Sequence, residues 1–259
     1  MEWIGVEFSR FEWNEFECYG SNWSNTPQSG IVFEPLTRHT KYRISDLGFR
    51  TNETRAIGAN KLYSPHWIDE RLKAGDIVAM RSWERPQPAI FIDASQDSKL
   101  ENISIHYADG MGLLAQNSHN LSLNHFCVAR RSELDPRLFT TQADATHFSG
   151  CSGHISVRNG LFEHMMDDAI NVHGVYLKMT KRIDDYTVEG QYMHNQAWGF
   201  EWGCQGDSVQ FIYSKTFDSH KGYNVIQSIE PIDQATVKGA KIFRIKFKQK
   251  LAHNLTPEN

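Results

Sequence analysis

A short apolar motif recurs through the middle of the chain, and its spacing constrains the fold more than any other feature. Asn102-Ile-Ser-Ile105 is followed eighteen residues later by Asn120-Leu-Ser-Leu123, and a third copy, His154-Ile-Ser-Val157, is delayed by a polar insertion at 130–137. Each copy precedes a second apolar run: Met111–Ala115, Phe126–Ala129 and Ala169–Val172. Short apolar runs that recur at about one coil length are typical of a parallel β-helix with one continuous core. A β-sandwich whose strands are similar by chance is the alternative.

The flanks of this region show a longer alternation of apolar and polar residues. The clearest runs are Thr187–Tyr192, Ser208–Tyr213 and Lys241–Phe247, with turn residues between them. Such alternation predicts antiparallel hairpins. We therefore expect an all-β chain in which residues 1–85 and 177–250 together form an antiparallel, barrel-like elaboration. Residues 86–176 form the β-helix coils in this interpretation, and residues 251–259 form a tail.

Composition and charge argue against several classes of partner. The chain has 259 residues and a formal net charge of −4, which gives no electrostatic case for binding nucleic acid or a membrane surface. Its four cysteines lack the spacing of metal ligands. No phosphate-binding loop, dinucleotide fingerprint or metalloprotease motif is present. We therefore expect no cofactor, no metal, no nucleic acid and no membrane partner.

Three aspartates around the third repeat could form an acid/base centre. Asp144 precedes the strand-like segment Ile155–Val157, and the adjacent pair Asp167 and Asp168 follows it. If successive coils stack, the single aspartate and the pair meet on one face. Hydrolysis of a glycoside needs one protonated carboxyl group for the leaving oxygen and one carboxylate that activates water. Carboxylates held close together supply both, since they cannot all ionise at neutral pH. A solvated turn is the alternative for the pair alone.

Five other residues are candidates for binding a sugar. His147 and His173 lie near the aspartates in sequence and could hydrogen-bond either the carboxylates or substrate hydroxyls, although ordinary surface histidines explain them equally well. Trp198 and Trp202 flank Glu201. Tryptophan faces suit the apolar face of galactose, and a nearby carboxylate suits its hydroxyls. The alternative is a pair of core tryptophans.

Longer strings of sequence resemble one known family. Gly110–Gln116, FTTQADATHFSGC at 139–151, NGLFEHMMDDAINVHGVYLK at 159–178 and Trp198–Gly203 are similar to glycoside hydrolase family 110. The resemblance implies a right-handed parallel β-helix and an inverting, metal-independent exo-hydrolase. The implied substrate is an oligosaccharide or glycoconjugate with a terminal α-1,3-linked galactose, as in blood-group-B-type glycans. By motif, Asp144, Asp167 and Asp168 would be the catalytic residues.

The resemblance also implies a longer parent protein. Family members are longer than this chain, so we expect it to be a piece of a protein that is secreted or periplasmic. For an inverting site we expect carboxyl separations of roughly 6.5–9.5 Å. We take Asp144 as the proton donor and the pair as the base, with the opposite assignment left open.

Two other functions fit parts of the sequence. A non-catalytic β-helix that binds glycans would use the aromatic residues without any dependence on the carboxylates. A hydrolase similar to polygalacturonases would need basic residues near the aspartates to pair with a uronate. Arg158 and Lys178 are the nearby candidates for that role.

Overall fold

The structure, a computed structural model, describes residues 8–12, 15–19, 29–42, 44, 47–48, 55–58, 61–63, 69–81, 85, 87–195 and 197–257. Over these residues the chain is all-β, as predicted, and contains no helix. The chain divides into two compact units, Met1–Val172 and His173–Asn259. Within the described part, no helix has the length and the apolar character needed to span a bilayer.

The middle of the chain alternates between two sheets of parallel strands. Its strands are β8 (Ile90–Asp93), β9 (Gln96–Ile105), β10 (Leu113–Gln116), β11 (His119–Val128), β12 (Thr146–Ser149), β13 (Ser152–Arg158), β14 (Leu161–Phe162) and β15 (Ile170–His173). β8, β10 and β12 pair in parallel in one sheet, which β15 continues. β11 pairs in parallel with β9, β13 and β14 in the other sheet. Each circuit of the chain therefore adds a strand to both sheets.

The register of these strands corrects the predicted repeat. The first two circuits are offset by 23 residues, as in the hydrogen bond from Asn120 to Asp97. The eighteen-residue match of Asn102–Ile105 with Asn120–Leu123 is wrong, because Ile103 and Ile105 pair with Phe126 and Val128. Residues Phe126–Val128 of that run consequently form the end of β11, and the strand that continues the first sheet is β12.

The third copy of the motif is placed as predicted. Leu121 and Leu123 pair with Ile155 and Val157. The offset in this circuit is 34 residues, as in the hydrogen bond from the His154 amide to Asn120. The delay of the third repeat by a polar insertion is therefore confirmed.

One buried apolar cluster fills the space between the two parallel sheets. Leu113, Ala115 and Phe148 come from the first sheet, and Leu121 and Phe126 from the second. Their side chains alternate along each strand with more exposed ones, as expected when one face of a strand is buried. Burial of apolar area of this kind is the main stabilising contribution to such a fold.

The first flank forms a sheet of its own in the described residues. Its strands are β1 (Phe8–Glu12), β2 (Glu15–Tyr19), β3 (Ser29–Phe33), β4 (Leu47–Gly48), β5 (Arg55–Gly58), β6 (Lys61–Tyr63) and β7 (Ile77–Arg81). They pair in the order β4-β3-β7-β1-β2-β6-β5 and all pairs are antiparallel. The antiparallel character predicted for this flank is confirmed.

The second unit is also antiparallel. Its strands are β16 (Leu177–Arg182), β17 (Thr187–Tyr192), β18 (Ser208–Val209), β19 (Asn224–Pro231) and β20 (Ile242–Phe247), in the sheet order β16-β17-β20-β19-β18. In the described residues each flank thus pairs within itself, in contrast to the single elaboration expected from both. Leu251 and Leu255, which lie in the predicted tail, are buried in the core of this unit.

Candidate active site

The stacking of circuits brings the three predicted aspartates together. Asp144 lies just before β12, and Asp167 and Asp168 lie just before β15, one circuit later. The Ala145 amide donates to the Asp168 carbonyl at 2.8 Å, which holds the two segments side by side. One carboxylate oxygen from each aspartate lies within 4.8 Å of the other two. The predicted meeting of the single aspartate and the pair is therefore found, while their catalytic role stays a prediction.

The three carboxylates differ in their exposure to solvent. Asp144 is buried, with 2% of its surface exposed, whereas Asp167 and Asp168 are exposed. The pair follows a bend rather than a regular strand, so neither carboxylate has to point into the apolar core. The cluster thus combines one carboxylate that only a small molecule such as water can reach with two that a larger ligand can approach.

The three carboxylates form a tight cluster, in which one oxygen from each residue lies within 4.8 Å of the other two. Negative charges this close repel one another strongly in a partly buried site. Cationic or hydrogen-bond donor groups are therefore needed around the cluster, and the structure provides three.

His147 is the partner of Asp144. It belongs to β12, and its Nδ1 lies 2.5 Å from Asp144 Oδ2. Burial raises the pKa of Asp144 and is the largest single influence, but the hydrogen bond and charge of His147, the Asn171 amide and the charge of Arg85 together outweigh it. The pKa of Asp144 is consequently lowered. This result argues against Asp144 as the proton donor, the role that we favoured from the sequence.

Asn171 and Arg85 also donate hydrogen bonds to the aspartates and were not identified from the sequence. Asn171 Nδ2 donates to Asp144 Oδ2 at 3.3 Å and to Asp168 Oδ2 at 3.2 Å, so it bridges the two segments. Arg85 Nη2 donates to Asp167 Oδ2 at 2.9 Å. The sequence could have identified Asn171 as a partner of the aspartates, because it lies three residues after Asp168. It could not have identified Arg85, because 82 residues separate Arg85 from Asp167.

The cluster is a poor fit for a metal ion. Three carboxylate oxygens could approach a cation, but Arg85 and Asn171 donate to oxygens of the same cluster. Calcium requires six to eight oxygen ligands, and magnesium a near-octahedral shell. A guanidinium group beside the site also disfavours a second positive charge.

The remaining predicted residues belong to the second unit. The ring Nδ1 of His173 lies 2.9 Å from the Gly174 carbonyl oxygen, and the residue is exposed. Trp198 is 52% exposed. Glu201 and Trp202 line a cavity of about 300 Å³ in this unit, and Trp202 Nε1 donates to the Val175 carbonyl at 2.7 Å. Substrate binding by these four residues stays a prediction.

Comparison with known proteins gives the relationship of the chain. A family model described as GLAA-B beta-barrel domain II matches residues 187–259. A protein of Phocaeicola vulgatus named alpha-1,3-galactosidase B is 50% identical over 97% of this chain and 43% of its own length. The protein of that name from Parabacteroides distasonis is 49% identical over 94% of this chain and 41% of its own length. The chain belongs to the family of these proteins. The resemblance read from the aspartate and tryptophan motifs is confirmed.

The family extends to more distant relatives and to longer proteins. A Bacteroides fragilis protein named alpha-1,3-galactosidase A is 29% identical over 79% of this chain. The chain spans 43% and 41% of the length of the two alpha-1,3-galactosidase B relatives. More than half of each of these relatives therefore has no counterpart in this chain.

Proposed function

We propose that this chain carries the acid/base centre of a glycoside hydrolase that releases terminal α-1,3-linked galactose from blood-group-B-type glycans. The observation that carries the proposal is the cluster of Asp144, Asp167 and Asp168, whose nearest oxygens lie within 4.8 Å of one another. The names of the relatives support galactose as the sugar released. A cluster without a neighbouring cofactor motif suits hydrolysis by proton transfer alone.

The aspartates have different roles in this proposal. Asp144, whose pKa is lowered, is the ionised base that takes a proton from water. Asp168 is exposed, and its carboxylate forms no salt bridge with a described cationic side chain. We assign it as the acid that donates a proton to the glycosidic oxygen. Arg85 fixes Asp167 beside it. The water oxygen forms a bond to the anomeric carbon as the bond to the leaving oxygen breaks. One proton of the water passes to Asp144 and the other stays on the new anomeric hydroxyl, while the proton of Asp168 goes to the leaving oxygen.

Inversion at the anomeric carbon is part of the proposal and rests on the family resemblance. An inverting site usually keeps its two carboxyl groups roughly 6.5–9.5 Å apart to hold a water molecule between them. In this proposal the water lies against the nearly buried Asp144. The anomer of galactose that forms first shows whether the configuration at the anomeric carbon is inverted.

The proposed architecture follows the same family. We propose that residues 86–176 form a right-handed parallel β-helix, with antiparallel elaborations at residues 1–85 and 177–250. The parallel pairing of β8, β10 and β12 and of β9, β11 and β13 supports it. Such coils place the ends of successive strands in a row, which is how Asp144 and Asp168 become neighbours.

The proposal is tested by comparing galactosides that differ only in linkage. Release of galactose from an α-1,3-linked disaccharide, with little release from the α-1,4 and α-1,6 isomers, is the expected result. Saturation-transfer NMR on the same samples separates the alternatives. Binding of the intact sugar without release would favour a glycan-binding module. Release of uronic acid from a pectin fragment would favour a polygalacturonase-like enzyme.

Replacing His147 with glutamine is expected to move the acid limb of the pH–rate profile to higher pH. In the native protein the pKa of Asp144 is lowered. Its ionised form therefore stabilises the fold above the unfolded pKa of about 3.9, and this contribution is lost as pH falls through the folded pKa. Without His147, burial of Asp144 is less opposed, and the base takes up its proton at higher pH.

The measurement for this variant is kcat/KM from about pH 4 to about pH 8, the range in which a carboxylate base titrates. A uniform loss of activity at every pH would show that His147 only supports the fold. An acid limb that stays in place would contradict the role of Asp144 as the base.

Prolonged incubation with a chelator is expected to leave the activity unchanged. Arg85 and Asn171 already donate hydrogen bonds to oxygens of the cluster, so we expect no divalent ion to be needed there. The measurement is galactose release before and after treatment, with added calcium or magnesium as the matched control. Loss of activity that the added ion restores would contradict this expectation.

A further inference from the structure

A cavity of about 630 Å³ opens beside the aspartate cluster, within the first unit. Asp167 is among its lining residues, and Asp144 and Asp168 are absent from its described lining. The apolar part of the wall includes Ile31 and Leu138, which belong to a buried cluster. The volume is within the range of roughly 300–1,000 Å³ that is typical of small-molecule sites.

The cationic side chains of the cavity are already engaged. Arg38 Nη2 donates to the Pro136 carbonyl at 2.7 Å and to the Arg137 carbonyl at 2.8 Å. Lys41 Nζ lies 2.5 Å from Asp76 Oδ2. Neither cation is therefore free to bind an anionic ligand without losing its partner, so the lining favours a neutral, hydroxyl-bearing ligand.

His164 lines the same cavity and has an unusual backbone. Its φ of +60° lies in the left-handed region, which few residues other than glycine adopt. Backbone strain of this kind often occurs at functional sites, and the structure around it must hold the residue in place. A glycine would adopt this conformation at no steric cost. Replacing His164 with glycine therefore removes the imidazole and keeps this backbone conformation.

A neutral imidazole at His164 also suits a hydrogen bond from a sugar hydroxyl. Burial, followed by the charge of Arg130, lowers the pKa of the imidazole, and the ring is hydrogen-bonded to the Leu138 backbone. A neutral imidazole that donates from one ring nitrogen to a carbonyl keeps the other nitrogen as an acceptor. In this cavity, where the cationic side chains already have partners, that ring nitrogen can accept a hydrogen bond from a sugar hydroxyl group.

We infer that this cavity holds the leaving-group sugar, the residue to which galactose is attached, and that His164 is a specificity-determining contact for one of its hydroxyls. The inference rests on the proposed function. Asp144, the proposed base, is nearly buried, whereas Asp167 and Asp168 are exposed, so a leaving group as large as a sugar has to lie on their side of the cluster. Asp167 also lines the cavity.

The test uses His164→Gly, because glycine keeps the backbone conformation and removes the imidazole. With an α-1,3-galactosyl disaccharide, kcat/KM is expected to fall about tenfold, mainly through KM, the effect of one lost hydrogen bond between neutral groups. With an aryl α-galactoside, whose leaving group has no sugar hydroxyls, kcat/KM should stay within about twofold. Asn159→Gly is the matched control, since Asn159 also has a left-handed φ, of +51°, and does not line the cavity.

A second measurement separates this inference from the proposed function. Binding of the galactose-free product sugar to the wild-type protein and to His164→Gly is measured by NMR titration, which needs no turnover. If the wild-type protein releases no galactose from either substrate, the proposed function fails, and the titration still tests the cavity. Equal losses on both substrates, no loss on the disaccharide, or product binding that His164→Gly leaves unchanged would each overturn the inference.

Discussion

The Asp168→Asn variant is expected to lose turnover of α-1,3-galactosyl glycans by about 10²–10⁴-fold, the usual contribution of a general acid. Asp168 is exposed, and its Oδ2 accepts a hydrogen bond from Asn171. The substitution therefore removes a proton donor without leaving a buried group unsatisfied, and the melting temperature should hardly change. The measurement is the rate of galactose release together with a thermal melt.

Substrates with different leaving groups show whether the Asp168→Asn variant has lost a general acid. An aryl α-galactoside with an acidic phenol needs little help from a proton donor, so its hydrolysis should be much less impaired than that of the glycan. Asp93→Asn is the control, since Asp93 is an exposed carboxylate at the end of β8 and loses the same charge. Equal losses on both substrates would contradict Asp168 as the acid, and near-normal glycan turnover would exclude it from catalysis.

The Gly112→Ala variant is expected to lose both stability and activity, because Gly112 lies directly against the segment that carries Asp144. Its amide donates to the Asp144 carbonyl at 3.0 Å. A Cβ at this position would lie 2.5 Å from the Ala145 carbonyl oxygen and 3.0 Å from Val128 Cγ2. The backbone of Asp144 and Ala145 has to move away from an added methyl group. Overpacking of this kind costs about 1–3 kcal/mol of stability.

The loss of activity should be larger than the loss of stability explains. A displacement of about 1 Å at a reacting group can reduce the rate about 10²-fold. Gly75→Ala is the control, since it has a left-handed φ of +96° but no atom within 4 Å of the added Cβ. That variant should be less stable and still active. A Gly112→Ala protein that is destabilised but fully active would show that the close contact does not position Asp144.

The sequence predicted the all-β class and the meeting of the aspartates, but it misplaced one repeat for a physical reason. Both Asn102 and Asn120 adopt a left-handed backbone, with φ of +55° and +56°. They occupy different corners of the circuit, because Asn120 stacks on Asp97 while Asn102 lies opposite His125. Two corners that each favour asparagine produce two similar motifs in one circuit. The apparent period is therefore shorter than the real one.

The sequence could predict the neighbours of the aspartates only where those neighbours are also close to them along the chain. His147 and Asn171 each lie three residues from an aspartate that they contact. Arg85 and the cavity around His164 depend on pairings between distant segments, including residues of the first flank. The lowered pKa of Asp144, on which its proposed role as the base rests, has a similar origin, since its burial and its partners follow from the stacking of β12 on β15.

The central claim is that the three aspartates form an inverting hydrolytic centre for terminal α-1,3-galactose. The most direct test is proton NMR of the protein incubated with a trisaccharide that ends in this sugar, with spectra collected before mutarotation averages the anomers. The account predicts that β-galactose appears first and that the Asp168→Asn protein produces none on the same time scale. First appearance of α-galactose, or equal release by the variant, would contradict it.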